Sequence, residues 1–485
     1  MYKLILTSGK PRSWGIKGEE KALRSVCLFV FMVRLWFDKG TLLLKGDVGT
    51  PYGKWDPRIG CFRIKALHYR DVLAYFEESQ IPFEDSVQQL PPLETLKSTV
   101  QLRSYQEAAL DRWRRNENRG VLVLPTAAGK TYIALKAVEA LKTQTLIVVP
   151  TLDLIDQWRS RIKECLGVES GAVGGGENNV RMITVATYDS AYLQATFLGN
   201  RFKLIVFDEV HHLASPSYMQ IAEMYTAPYR MGLTATYERI DERHQLLPRL
   251  VGDLVFSVAV DELAGKHLAP YTYEKNYVEL SPEEQQLYDK EMGTFRSYLR
   301  EKRIVMKSPR DFQKFIMRTG RDPRARDALL ARNRALKAAL NSKEKIKALA
   351  KLLEANKNEK ALVFTLHTDL VYAISRRFLI PAITYLTPKK ERREILENFR
   401  KGNYNTIVTS QVLDEGIDVP DATIGYILSG TGSTRAYIQR LGRLLRKVEG
   451  KKARLVEIVS KETMEVGMSR RRTYKTEEKK AVASK

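Results

Sequence analysis

The chain has 485 residues, room for about three or four domains with ample core. Eighty Lys and Arg stand against 57 Asp and Glu, a net charge of +23. Such a field favours a polyanionic partner, and phosphate backbones are the commonest polyanion in a cytoplasm. The longest apolar run, Val26–Val33, stops at Arg34, well short of the roughly 20 residues that cross a bilayer. Cys27, Cys61 and Cys165 share no metal-binding spacing. These features argue against a membrane span, a structural zinc, a four-cysteine iron–sulfur cluster and an oxidising compartment, and they predict a cytoplasmic, nucleoid-associated protein.

Taken in order, residues 1–90 read as a small α/β module. Hydrophobic β-rich runs at Val26–Val33, Thr41–Leu44 and Phe62–Ile64 precede an amphipathic helix from Leu67 to Phe76, and a loop through Pro82 and Pro91-Pro92 follows. Across residues 91–265 the pattern becomes alternating: apolar strands at Val121–Pro125, Thr145–Val149, Met182–Ala186, Leu204–Phe207 and Tyr229–Leu233 with helical stretches between. Such alternation implies a parallel sheet covered by helices on both faces, with ligands at the carboxyl ends of its strands.

Residues 266–342 interrupt the rhythm as a linker and a basic helical thumb. Between Ser281 and Leu340 there are 15 Lys and Arg against 8 Asp and Glu. Arg296, Arg300, Arg303 and Lys307 are spaced to share one helix face, either as a solvated stripe or as a track along a phosphate backbone. Alternation resumes over residues 343–460, with strands at Ala361–Thr365, Thr406–Thr409, Thr423–Leu428 and Arg454–Val459 and a helix predicted over Arg435–Leu445. Residues 461–485 are polar and poor in core residues, and read as a flexible basic tail. The fold class expected is α/β, with two parallel-sheet lobes, a small N-terminal α/β domain and a helical insertion.

The chemistry starts at Val121-Leu-Val-Leu-Pro125-Thr126-Ala127-Ala128-Gly129-Lys130-Thr131. A buried strand, a small-residue turn and a helix N-terminus form a phosphate cradle. Backbone N–H groups and the positive helix end face the ligand, Lys130 reaches the β- and γ-phosphates, and the Thr131 hydroxyl ligates Mg2+. The pattern departs from a strict P-loop, which has glycine where Leu124 stands and often where Ala127 stands. Asp208-Glu209-Val210-His211 follows another apolar strand. Beside a bound triphosphate Asp208 would hold the metal and Glu209 would activate water. His211 and His212 are neighbours that share no face, so His211 reads better as a hydrogen-bond relay than as half of a metal site.

Together with Gly232-Leu-Thr-Ala-Thr236 and Gln439-Arg-Leu-Gly-Arg443-Leu-Leu-Arg446, these motifs resemble those of superfamily 2 helicases. Leu102-Arg-Ser-Tyr-Gln106, Gln411-Val-Leu-Asp-Glu-Gly-Ile-Asp418-Val-Pro and the basic insertion resemble more closely the XPB helicases of nucleotide excision repair. The resemblance covers about residues 95–460, and over 1–90 it is one of position, where the family carries a damage-recognition domain. A chain shorter than the eukaryotic members implies an archaeal or bacterial one.

The resemblance implies two RecA-like lobes with ATP bound between them. It assigns the adenine edge to Gln106 with Arg103 beside it, and nucleotide contacts from the second lobe to Gly416, Asp418 and Gln439. Arg443 and Arg446 become the arginine fingers that complete the ATP site. One nucleic-acid strand would run past Pro150, Thr151, Thr187, Thr365, His367 and Ser410, with Thr234 and Thr236 coupling that track to the phosphates. Further nucleic-acid contacts fall to Arg239, Asp241, Arg296, Arg300 and Arg303. It also implies 3′-to-5′ polarity, single-stranded and forked DNA as partners, and a cooperating nuclease.

One element departs. The family has Arg-Glu-Asp where this chain has Arg239-Ile240-Asp241, which leaves strand separation less supported than ATP turnover. An RNA-dependent ATPase, and an ATP-gated DNA-binding scaffold that does not unwind processively, are the alternatives the residues leave open.

Overall fold

Strands in this chain follow two burial patterns, set by whether one or both sheet faces are covered. The computed structural model describes residues 33–46, 48–88, 90–91, 96–239, 241–410, 422–430, 442, 444 and 451–471. They divide into two units: Met1–Leu90 with Ala195–Arg201 and Glu223–Pro228, and the remainder.

In the first unit, β1 (Val33–Asp38), β2 (Thr41–Lys45), β3 (Gly53–Asp56), β4 (Cys61–Lys65) and β5 (Phe83–Asp85) form a sheet in the order β3-β4-β2-β1-β5. Only the β1–β5 pairing is parallel. Val33 and Leu35 are buried and Arg34 between them is exposed, the alternation of a sheet with one covered face. The Tyr69–Glu78 helix covers that face with Tyr69, Val72 and Phe76. Of the strand expected at Val26–Val33, only Val33 lies among the described residues, where it opens β1. Two excursions from the following sequence complete the unit: Lys65 pairs with Glu223 at 2.8 Å and Asn200 donates to the Val87 carbonyl.

The second unit holds two sheets. The first contains β6 (Arg119–Val123), β7 (Thr145–Val149), β8 (Gly171–Gly174), β9 (Glu177–Asn179), β10 (Ile183–Thr187), β11 (Leu204–Asp208), β12 (Tyr229–Thr234) and β13 (Leu254–Ser257), in the order β13-β6-β12-β11-β7-β10-β8-β9. Every residue of β7, β10 and β11 is buried. Helices cover both faces, and continuous apolar runs are the result. The order sets β12 between β6 and β11, so the segments leaving these three strand ends converge.

The other sheet runs β14-β19-β18-β15-β17-β16 and is wholly parallel: β14 (Tyr271–Val278), β15 (Ala361–Phe364), β16 (Ala382–Ile383), β17 (Thr406–Thr409), β18 (Ile424–Ile427) and β19 (Ala453–Ser460). Thus the stretch expected as linker contributes an edge strand to this sheet. Its sequence, Tyr-Thr-Tyr-Glu-Lys-Asn-Tyr-Val, carries exposed Thr272 and Glu274 and half-buried Lys275 and Asn276, so it lacks the continuous apolar run that marks the other strands.

Three helices follow, Pro282–Glu301, Pro309–Thr319 and Pro323–Leu340, with a core of their own from Tyr288, Met292, Phe295, Tyr298, Phe315 and the alanine stripe Ala325, Ala328, Ala335, Ala339. Here the four-residue basic stripe is corrected. The first helix ends at Glu301, Arg303 adopts a left-handed φ of 49°, and the Ile304 and Arg303 N–H groups close back on Leu299 and Arg300. That is a Schellman stop. Ser308 and Pro309 then start a new helix, so Arg303 and Lys307 leave the face that Arg296 and Arg300 occupy.

The tail reading is also corrected over its first part. Residues 464–471 are helical and Glu465 is buried against Lys345, with Nζ–Oε distances of 2.5 and 2.6 Å. Ser469 donates to the buried Glu457. These polar partners act together with the buried Met468 and with Met464, which packs against the core of the three helices.

Candidate active site

The loop after β6 needs two left-handed residues, Ala127 at φ 67° and Gly129 at φ 76°, the latter capping the Lys130–Leu141 helix. A Cβ at Gly129 would meet the Gln106 amide at 2.4 Å, so a side chain there would strain the backbone and displace that amide. Leu124 needs no glycine: its N–H donates to the Thr234 carbonyl and its side chain is buried in the core. Lys130 Nζ lies 3.3 Å from the Leu124 carbonyl and 3.8 Å from Glu209 Oε1.

Asp208 ends β11 and is buried. Trp158 Nε1, from the Leu152–Leu166 helix, donates to its Oδ2 at 2.9 Å, and the Glu209 N–H donates to Oδ1 at 3.1 Å. Tyr188 donates to its carbonyl. Burial, then the neighbouring Glu209 charge, pushes the Asp208 carboxyl well above the usual carboxylate range, against the pull of Lys130 and the indole. Glu209 itself has φ 49°, a left-handed conformation that costs a non-glycine residue about 1–2 kcal/mol and is typical of functional positions. Its Oε2 is 3.4 Å from the Thr234 hydroxyl and 3.5 Å from His211 Nδ1. His211 is fully buried and 3.2 Å from Thr234 Oγ1, which also bonds the Thr236 backbone. Lys130, Glu209, His211 and Thr234 are therefore one polar cluster at three adjacent strand ends, with Asp208 joined to it through the Glu209 backbone.

Gln106 lies beneath the cradle. Its Nε2 donates to the Ala128 carbonyl at 2.8 Å and its Oε1 accepts from the Arg103 N–H at 2.9 Å. The Tyr105 hydroxyl joins it on Ala128, and Arg103 donates to the His267 carbonyl. From the other sheet's side, a Cβ at Gly442 would meet Thr126 Cβ at 2.4 Å, so that segment and the cradle touch. Gly416, Asp418, Gln439, Arg443 and Arg446 lie outside the described residues.

Residues expected along a nucleic-acid strand divide by what their polar groups already do. Thr151, after Pro150 at the end of β7, has a buried hydroxyl with no hydrogen-bond partner among the described residues. Thr187 caps the Tyr188–Leu193 helix through Ser190, Thr365 donates to the His367 carbonyl, and His367 Nδ1 faces Asn341 at 2.9 Å. Burial, then Lys337, lowers the His367 pKa. Ser410 is buried, its N–H donating to Ile383. Arg239 forms a two-pronged ion pair with Asp241 at 2.8 and 2.7 Å while its third nitrogen donates to the His211 carbonyl. Ile240 lies outside the described residues. Arg296, Arg300 and Arg303 are exposed.

Trp158, Tyr188, Tyr105 and Gly442 were not found by sequence reasoning. Trp158 stands seven residues beyond Thr151, two helical turns into a helix that starts at a strand end, and this spacing was its only signal.

Comparison with known proteins adds the following. The family profile "Xeroderma pigmentosum group B helicase damage recognition domain" matches residues 35–87, "Type III restriction enzyme, res subunit" matches 99–239, and "Helicase conserved C-terminal domain" matches 344–448. The chain is 47% identical over 441 residues to "DNA 3'-5' translocase XPB2" of Sulfurisphaera tokodaii, covering 91% of this chain and 100% of the relative. It is 32% identical to "Putative DNA 3'-5' helicase Rad25" of Haloarcula marismortui, over 77% of this chain and 54% of that one. Against the XPB/SSL2 subunit of "General transcription and DNA repair factor IIH" from Saccharomyces cerevisiae, identity is 29% over 78% of this chain and 44% of the relative. The Hef helicase domain of Pyrococcus furiosus shares the fold, with a TM-score of 0.50 at 19% identity, covering 76% of this chain and 97% of that one.

Proposed function

Because the chain belongs to the XPB family of superfamily 2 helicases, we propose that it is an ATP-dependent DNA helicase and translocase, moving 3′ to 5′ and opening duplex around lesions. The observation that carries the reading is the cluster of Lys130, Glu209, His211 and Thr234 beside Asp208, with Gly442 of the second lobe against Thr126. It supports a site split between two lobes, which opens and closes as nucleotide binds and leaves.

The donor set suits a hard divalent cation: a carboxylate at Asp208 and a hydroxyl at Thr131, both oxygen ligands of the kind Mg2+ takes alongside substrate phosphates. When bound, Mg2+ neutralises charge on the transferring phosphoryl group. The chain's own residues do the rest. Residues 125–131 hold the phosphates with backbone N–H groups and the Lys130 ammonium. Glu209 orients the attacking water and accepts its proton, and Thr234 and His211 fix that carboxylate. Arg103 and Gln106 flank the base, with Gly416, Asp418 and Gln439 from the second lobe. Arg443 and Arg446 serve as fingers, an effect worth roughly 10³–10⁵ in rate in comparable enzymes. Single-stranded and forked DNA pass Pro150, Thr151, Thr187, Thr365, His367 and Ser410, and a nuclease acts on the opened strand. The described residues include no helix long and apolar enough to cross a membrane, in keeping with a nucleoid-associated protein.

Lys130→Ala and Glu209→Gln are expected to abolish ATP turnover. Near-normal turnover by either purified variant refutes the site. Turnover measured with no nucleic acid, single-stranded DNA, forked DNA, damaged DNA and RNA of matched length tests the substrate, and greater stimulation by RNA sinks the DNA reading.

A further inference from the structure

Two large apolar side chains stand in solvent at a place where the chain is otherwise tightly fixed. Tyr385 is 70% exposed and Leu386 61% exposed. They are the two central residues of a turn that leaves the edge strand β16. The Thr387 N–H closes on the Thr384 carbonyl at 3.1 Å, the Thr384 N–H donates to the Thr387 hydroxyl at 2.9 Å, and the Leu386 N–H faces Thr384 Oγ1 at 3.2 Å. Tyr372 pins the same Thr384 hydroxyl from the Thr368–Phe378 helix. Turn centres ordinarily carry Gly, Pro, Asn, Asp or Ser, whose conformations and side chains suit a solvated bend. A single exposed hydrophobe is ordinary on a protein surface. Two in succession, at the centre of a rigid turn, present a fixed apolar surface.

Its surroundings identify what that surface suits. Lys389 and Lys390 follow after Thr387 and Pro388 and are exposed, as is Arg393, one helical turn on and 3.9 Å from Asp156. Arg392 donates to the Thr387 carbonyl at 3.2 Å and to Asp153 at 2.9 Å, and Lys389 pairs with Asp156 at 2.7 Å. Asp153 lies two residues beyond Thr151, whose buried hydroxyl has no hydrogen-bond partner among the described residues. On its other side the turn adjoins Ser410, because the Ser410 N–H donates to Ile383, and Thr365 follows through its N–H to Thr409. The turn therefore stands among three residues expected to touch the strand backbone, contributed by both lobes, and none of those three can contact a base by stacking.

We propose that Tyr385 and Leu386 form a base platform in the nucleic-acid track, Tyr385 stacking on an unpaired base of single-stranded DNA and Leu386 covering its edge, while Lys389, Lys390 and Arg393 attract the adjoining phosphates. Stacked aromatics beside cations are the usual means of holding a single strand without reading its sequence. The proposal rests on the single-strand track described above, and adds to it the contact to the bases.

The test measures affinity of the full chain for labelled oligo(dT) and for an abasic strand of the same length. Tyr385→Ala and Leu386→Ser are each expected to weaken oligo(dT) binding by about tenfold, in the range of one lost base stack, and Tyr385→Phe to retain it. The abasic strand is expected to bind the unaltered chain and both variants alike. Binding of oligo(dT) within about twofold of the unaltered chain overturns the platform and leaves the track standing. An equal loss on both strands also overturns it, since the effect then lies in backbone contacts or in folding. Failure of the unaltered chain to bind either strand removes the track and the platform with it. Quenching of a 2-aminopurine in the strand by the unaltered chain gives a second readout that depends on no variant's folding, and its absence at every position overturns the stacking.

Discussion

Replacing Trp158 with Phe isolates one hydrogen bond at the centre of the proposed ATP site. The indole N–H donates to Asp208 Oδ2 at 2.9 Å, and the ring is buried. Phe keeps an aromatic ring in that space and deletes the donor. A hydrogen bond to an ionised acceptor contributes roughly 1.5–3 kcal/mol, and about 1.4 kcal/mol corresponds to one pKa unit. Loss of the bond therefore raises Asp208 by about one to two units. Its starting point is already high, since burial and the Glu209 charge both disfavour the ionised form. Only that ionised form ligates a cation well, so turnover falls as pH drops through the Asp208 pKa. The acid limb of the ATP-turnover profile should move upward by about one to two pH units in Trp158→Phe, and the Mg2+ concentration for half-maximal turnover at neutral pH should rise by about tenfold or more. Steady-state turnover across the mildly acidic to alkaline range, at low and saturating Mg2+, reads both. An unmoved acid limb with unchanged Mg2+ dependence, in a variant whose thermal midpoint matches the unaltered chain, refutes the positioning role.

Two further substitutions test how the scaffold is held. Lys345→Met leaves the fully buried Glu465 without its ammonium partner and should cost about 3–5 kcal/mol in urea unfolding. Lys345→Met combined with Glu465→Leu should recover most of that loss, and a double variant no better than the single one would show that the pair is not the cause. Ala127→Gly removes the penalty of a left-handed alanine at φ 67° and should raise stability by up to about 1 kcal/mol despite the freer unfolded chain. A lower thermal midpoint in that variant contradicts the strain argument.

Much of the α/β framework was legible because the physics that builds it is local. β7, β10 and β11 are buried at every position and mostly apolar since both their faces are covered, and a run of about five such residues between helical stretches is the pattern that a doubly covered parallel strand imposes. The edge strand β14 escaped for the opposite reason, since no position in it is buried and Thr272, Glu274, Lys275 and Asn276 interrupt its apolar residues. The cradle was legible in kind but not in detail. Leu124 continues a strand and packs in the core, so its departure from glycine has no conformational cost, whereas Ala127 occupies a position where glycine would relieve strain. The role of Trp158 could not be read beyond its helical spacing from Thr151. Its bond to Asp208 joins a helix after β7 to the end of β11, and that meeting depends on a strand order the sequence does not spell out.

Arg239 and Asp241 show the same limit at the point where the chain departs from its family's pattern. The family resemblance presents them, on either side of Ile240, as contacts to nucleic acid. Folded, they occupy each other. Two guanidinium nitrogens are bound to the Asp241 carboxylate and the third to the carbonyl of His211, and the pairing holds the Asp241 carboxyl down at about 2. Next along the chain, Glu242 pairs with Arg310 of the Pro309–Thr319 helix. A phosphate that drew Arg239 away would therefore release the backbone of His211, whose ring faces both Thr234 and Glu209. The residues after β12 are thus tied to the acidic pair at the end of β11, and we propose that a pull on Arg239 is passed to the groups beside Glu209.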